Sequence, residues 1–146
     1  VDRKNESKII QKIIEEWIVK YNNYKKDIWS DNLISIRIIS WISNADLILD
    51  NNQRHFNKTF YKSLMRQITF VKKNIQNISD ENRKISSISA IILSGLVFKE
   101  YYSNYKLGLK ELKKLIEDVF DNKGFPKNRN FENLITSFKK TLQSQE

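Results

Sequence analysis

Two stretches of this chain carry apolar side chains on every side of a helix. In residues 29–42, WSDNLISIRIISWI, Leu33, Ile34, Ile36, Ile38, Ile39, Trp41 and Ile42 spread around the axis, interrupted only by Arg37 and serines. Residues 85–98, ISSISAIILSGLVF, repeat the pattern with Ile85, Ile88, Ile91, Ile92, Leu93, Leu96, Val97 and Phe98, diluted by Ser86, Ser87, Ser89, Ser94 and Gly95. Helices of this kind are expected to sit inside a protein with a ring of others around them.

The remaining periodic stretches are one-sided. Residues 4–21 gather Ile9, Ile10, Ile13, Ile14, Trp17, Ile18 and Tyr21 within half of the helical circumference, opposite Lys8, Lys12, Glu15 and Glu16. A polar segment, 22–31, leads to Asp31 or Asn32 as the cap of the first inner helix, which is predicted to end near Asp50. Residues 53–75 place Phe56, Phe60, Tyr61, Leu64, Ile68, Val71 and Ile75 on one stripe. Ser79 or Asp80 then caps the second inner helix, predicted to run past Gly95 to about Tyr102. A fifth helix, 107–120, carries Leu112, Leu115, Ile116, Val119 and Phe120 and stops at the turn holding Gly124 and Pro126. A short last helix is predicted from Asn130 through Leu142.

One-sided and all-round helices thus alternate, with short connections and no convincing strand. The fold class this predicts is all-α, with antiparallel helical hairpins in two layers, as in a partial α/α toroid. A closed bundle is the alternative, but each of its helices normally keeps a wet face. A two-layer array of 146 residues is expected to be one helical domain forming part of a larger ring, whose remainder covers the inner helices. The first residue, Val1, with no leader-like segment after it, fits the expectation of a processed, excised or incomplete product.

Composition sharpens this picture in two ways. The formal charge of +9, from 26 Lys and Arg against 17 Asp and Glu, invites an anionic partner: nucleic acid, acidic polysaccharide or an anionic surface. The excess of Lys over Arg, together with abundant Ile and Asn, is equally the mark of an AT-biased coding sequence with solvated faces. The absence of Cys removes disulfides and thiolate metal sites, and the single His55 excludes a multi-histidine metal centre. Neither a Gly-rich phosphate loop nor a nucleic-acid module is recognisable, so no cofactor is expected, and no apolar run is long enough to span a bilayer.

The run from Trp29 to Trp41 with Arg37 four residues before Trp41, then AIILSGLVF from Ala90 to Phe98, then GFPKNRN from Gly124 to Asn130, resembles the N-terminal helical toroid region of the heparinase II/III-like polysaccharide lyases. It is most similar to the bacterial branch in which the last stretch reads as Gly, a few residues, then Ser-Arg-Asn-Pro. The resemblance extends from about Ile13 to Phe138. Where the family has Gly-Ile-Asn before the first Trp, this chain has Lys26-Asp27-Ile28; where it has Asn-His, this chain has Asn82-Arg83; and Ser and Pro of the last motif are replaced.

The resemblance implies β-elimination on a uronate-containing polysaccharide. Such a reaction neutralises the carboxylate, removes the neighbouring C5 proton with a Tyr or His, and protonates the departing oxygen. Asn82 is then the candidate catalytic residue, as a hydrogen-bond donor to the carboxylate; the ordinary alternative is a polar residue in a helix's first turn. Arg83 occupies the missing His position and is a candidate substrate-binding residue. The base is expected from the C-terminal remainder of the protein. Arg37 is a candidate substrate-binding cation held against an indole, or else a buried Arg paired with a carboxylate. Arg129 is a sugar-binding candidate in the turn. Trp29 and Tyr102, near helix ends, are candidate stacking platforms, although aromatic residues on helical stripes are mostly core. A catalytically dead scaffold and a basic nucleic-acid-binding module are the competing readings, the latter weakened by Lys residues spread over the outer helices.

Overall fold

The computed structural model describes residues 3–49, 53–125 and 127. Among the described residues six α-helices follow one another: α1 (Arg3–Tyr21), α2 (Asp31–Ser43), α3 (Ala45–Ile48), α4 (Arg54–Asn74), α5 (Glu81–Val97) and α6 (Tyr102–Val119), with 3-10 turns at Ile75–Asn77 and Lys99–Tyr101. The fold is all-α, and there is no strand among the described residues.

The helices pair as antiparallel hairpins. Along α2 and α4, Arg37 meets Gln67 while Trp41 stacks near Phe60, so the two chains run in opposite senses. Along α5 and α6, Gly95 faces Tyr105 and Gly108 faces Ile92, again an antiparallel register. Ser35 and Ser87 join the early turns of α2 and α5 by a 3.0 Å hydrogen bond between hydroxyls, both fully buried. One continuous core, built on Ile34, Ile38, Phe60, Leu64, Ile88 and Ile91, runs through α2, α4 and α5.

The two apolar stretches differ in their surroundings. From Lys84 to Gly95 no residue of α5 is fully exposed, as an inner helix requires. In α2, by contrast, Leu33 and Ile36 are 46% and 52% exposed, in line with exposed Ser40 and Ser43, because α4 and α5 cover only the opposite side. The expectation that both stretches avoid water on every side is therefore corrected for α2. It also fails at the end of α5, where Leu96 and Val97 emerge into solvent.

Helix boundaries shift for local reasons. The cap of α2 is Ser30 rather than Asp31 or Asn32. This helix ends at Ser43 rather than near Asp50, because Asn44 turns both its backbone N–H and its side-chain amide onto the Ser40 carbonyl. Asp80 caps α5 as expected, its carboxylate accepting from the Arg83 N–H at 2.8 Å. Phe98 is extended, and the 3-10 turn after it reverses the chain, so α5 stops at Val97 and α6 starts at Tyr102, five residues before the predicted Leu107. In α1, Ile14 and Ile18 are buried, but Ile9 and Ile13 are exposed and Gln11 takes their place, donating to the Ile48 carbonyl at 2.7 Å. The predicted helix from Asn130 lies outside the described residues.

Small residues explain how α6 comes so close to α5. A Cβ on Gly95 would lie 2.2 Å from the Tyr105 backbone nitrogen, and one on Gly108 would lie 2.4 Å from an Ile92 side-chain carbon. Ser94 is fully buried beside them; its hydroxyl accepts from Asn104 Nδ2 at 3.0 Å, while Lys72 Nζ donates to Asn104 Oδ1 at 2.6 Å. Helix α4 is thereby tied to the start of α6.

Candidate functional site

The connection from α1 to α2 is polar in sequence, yet three side chains fasten it. The Trp29 indole N–H donates to the Tyr21 carbonyl at 2.8 Å. Arg37, one of whose guanidinium nitrogens is held by Gln67 Oε1 at 3.1 Å, reaches from α2 with the other to the Ile28 carbonyl at 3.2 Å. Arg66 reaches from α4 to the Asn22 carbonyl at 2.9 Å and to Asn23 Oδ1 at 3.3 Å. A polar loop held at its start and finish in this way keeps a defined shape at low entropic cost to a ligand.

Between this loop and α4 opens a cleft of about 570 Å³ lined by Asn22, Asn23, Tyr24, Trp29, Met65, Arg66, Thr69, Phe70 and Lys73. Its aromatic wall is Phe70, with the Trp29 ring edge-on at 5.4 Å and the Tyr24 ring at 5.8 Å. Trp29 is only 4% exposed, so it forms the floor rather than a free stacking face; Tyr24, at 63%, is the ring open to solvent. Among the described residues the ionisable lining groups are Arg66, Lys73 and the Tyr24 phenol, with no carboxylate. The Asn22 side-chain oxygen is buried without a hydrogen-bond partner among the described residues.

Arg37 itself is half-buried, and desolvation pulls its guanidinium below the ordinary arginine range, though arginine stays charged in proteins. The indole against it belongs to Trp17, with the guanidinium carbon 4.1 Å from the ring centroid, rather than to Trp41, which stands edge-on to Trp17 at 5.5 Å. Its polar partners are Gln67 and the Ile28 carbonyl rather than the carboxylate that a paired buried charge would have. Arg37 therefore sits behind the cleft as a strut of its loop.

Asn82 and Arg83 lie in the first turn of α5. Asn82 is half-buried, and its backbone carbonyl accepts from Ser86. Arg83 keeps its Nε 3.7 Å from the capping Asp80 carboxylate, with both side chains about half exposed. The antiparallel pairing of α5 with α6 brings the turn after Val119 to the same end. There Asp121 accepts from the backbone N–H of Lys123 and Phe125, and Gly124 adopts φ 79°, a left-handed conformation that favours glycine. Ser35–Ser87 links this end to the early turns of α2, which follow the cleft loop. The first turn of α5 and the Gly124 turn thus lie at one end of the α5–α6 pair, and no residue of either lines the cleft.

Tyr102 does not join them. It opens α6 at the other end of the hairpin, stacked on Tyr105 at 5.5 Å with Lys106 over its ring, and is 51% exposed. Arg129 lies outside the described residues. His55 is exposed near the start of α4. Residue-by-residue reading of the sequence passed over Tyr24, Arg66 and Lys73; Lys73 and Arg66 are seven residues apart, the two-turn repeat of one helix face, which was the available signal. No group of residues able to hold a metal ion occurs among the described residues, and no helix there is long and apolar enough to cross a membrane. Comparison of the chain with protein-family models, with curated proteins and with solved structures returned no match.

Proposed function

We propose that this chain is a helical part of a heparinase II/III-like polysaccharide lyase, which binds uronate-containing polysaccharide and presents it for β-elimination by a base supplied from the C-terminal remainder of the protein. The observation that carries the reading is the packing of two stretches that carry the resemblance and are far apart in sequence. Residues 29–41 and 90–98 belong largely to α2 and α5, which pack against each other in an all-α hairpin array with Ser35 hydrogen-bonded to Ser87. The net charge of +9 favours an acidic polymer as the partner of the chain.

In this reading the chain's own residues hold and orient. Asn82 donates its side-chain amide to the uronate carboxylate, which stabilises the charge that grows as the C5 proton leaves. Arg83 supplies a cation where a proton-transfer group stands in the family pattern, and its proximity to Asp80 favours a second reading, binding without turnover.

Incubating the full-length protein with alginate, heparan sulfate and polygalacturonate while following the ultraviolet absorbance of a new unsaturated uronate tests the assignment. Product from at least one polymer is expected. Binding without product, with turnover gained by Arg83→His, would favour the inactive scaffold, and neither binding nor product would refute both readings.

A further inference from the structure

We infer that the cleft between the α1–α2 loop and α4 is a subsite for a single acidic sugar residue, with Arg66 and Lys73 facing its carboxylate and Tyr24 its ring face. The inference rests on the proposed function for the polymer class, but its location comes from the cleft alone. A volume of about 570 Å³ falls within the range of small-molecule sites. Its ionisable side chains apart from the Tyr24 phenol are two cations from one face of α4, so it favours an anion whatever the rest of the surface carries.

The other lining groups narrow the anion. Asn22, Asn23 and Thr69 line the cleft with amide and hydroxyl groups suited to sugar hydroxyls. Tyr24 is the exposed ring, braced from behind by Phe70, and an aromatic face packs against the C–H face of a pyranose. The loop needs little ordering on binding, because Trp29, Arg37 and Arg66 already fasten it. Arg66 spends one guanidinium nitrogen, Nη1, on Asn22 and Asn23 and has further donors in its fork.

Calorimetric titration of the full chain with a uronate trisaccharide, a neutral trisaccharide of equal size and a nucleoside monophosphate tests the assignment. The uronate is expected to bind, Lys73→Gln to weaken it by roughly three- to tenfold, as for loss of one charged contact, and Tyr24→Ala to weaken it similarly. Lys73 and Tyr24 are both exposed, so these variants keep the fold even if Arg66→Gln, which also loses the loop tie, does not. Equal binding of the neutral sugar, binding of the nucleotide alone, or uronate binding unchanged in both exposed variants would overturn the subsite. Lyase turnover with an unchanged KM in Lys73→Gln and Tyr24→Ala would overturn the subsite while leaving the lyase assignment standing.

Discussion

At Arg37 a charge is taken partly out of water with an amide oxygen, a backbone carbonyl and an indole face as its partners, and no carboxylate among the described residues. Desolvation opposes folding here, while the two hydrogen bonds and the cation–π contact favour it. The planar fork matters more than the charge, since it spans Gln67 on α4 and Ile28 in the loop at once. Arg37→Lys keeps the desolvation cost and loses the fork, so it should destabilise the protein by about 1–3 kcal/mol. Arg37→Met loses the loop tie but also removes the buried charge, and should cost less than Arg37→Lys in urea denaturation. Gln67 is fully buried and its amide nitrogen has no partner among the described residues, so the Arg37 bond is the main polar reason for its place in the core. The sequence made Arg37 conspicuous as a lone cation in a greasy run. Its partners were not legible, because Trp17 and Gln67 come from other helices and nothing in local spacing points to them.

Between helices, glycine and serine set the distances. The sequence shows α5 as an apolar rod diluted by small residues, and of these Ser87, Ala90 and Ser94 are fully buried while Gly95 lets the Tyr105 backbone approach. Gly95→Ala forces a methyl into the Tyr105 backbone and should destabilise the fold by about 1–3 kcal/mol or more, read as a lowered melting temperature with the α5–α6 pair loosened first. The all-α class and the position of α4 and α5 were legible in the sequence because period and caps agree, Asp80 most clearly. The early stop of α2 and the start of α6 were not, since Asn44 and Phe98 act through a side-chain bond and an extended backbone that periodicity does not register.

Glu111 on α6 is a second buried charge between elements. Burial pushes its carboxyl up, but the Gln76 hydrogen bond and the Lys114 ammonium, 3.2 Å away, outweigh it and hold the group below its ordinary value. A folded-state value below the unfolded one means stability that is present above the unfolded pKa of about 4.3 and lost as pH falls through the folded value. Stability of the native protein should therefore decline in that acid range, and Glu111→Gln should flatten this limb while lowering stability at neutral pH.

Over the whole molecule, antiparallel pairing of α5 and α6 puts Asn82, Arg83 and the Gly124 turn at one end of that pair and Tyr101, Tyr102 and Tyr105 at the other. The cleft lies along the C-terminal half of α4. The exposed Leu33 and Ile36 leave α2 with a wet apolar stripe. A basic surface in general also attracts polyanions, so location is what separates a built site from diffuse charge. Amide hydrogen exchange on the full chain with and without a uronate hexasaccharide reads location directly. Binding should slow exchange in residues 22–30, in the adjoining part of α4 around Arg66 to Lys73 and in the first turns of α5, leaving Tyr101 and Tyr102 unchanged. Protection confined to the Tyr102 end, or none at either end despite measurable binding, would contradict the account.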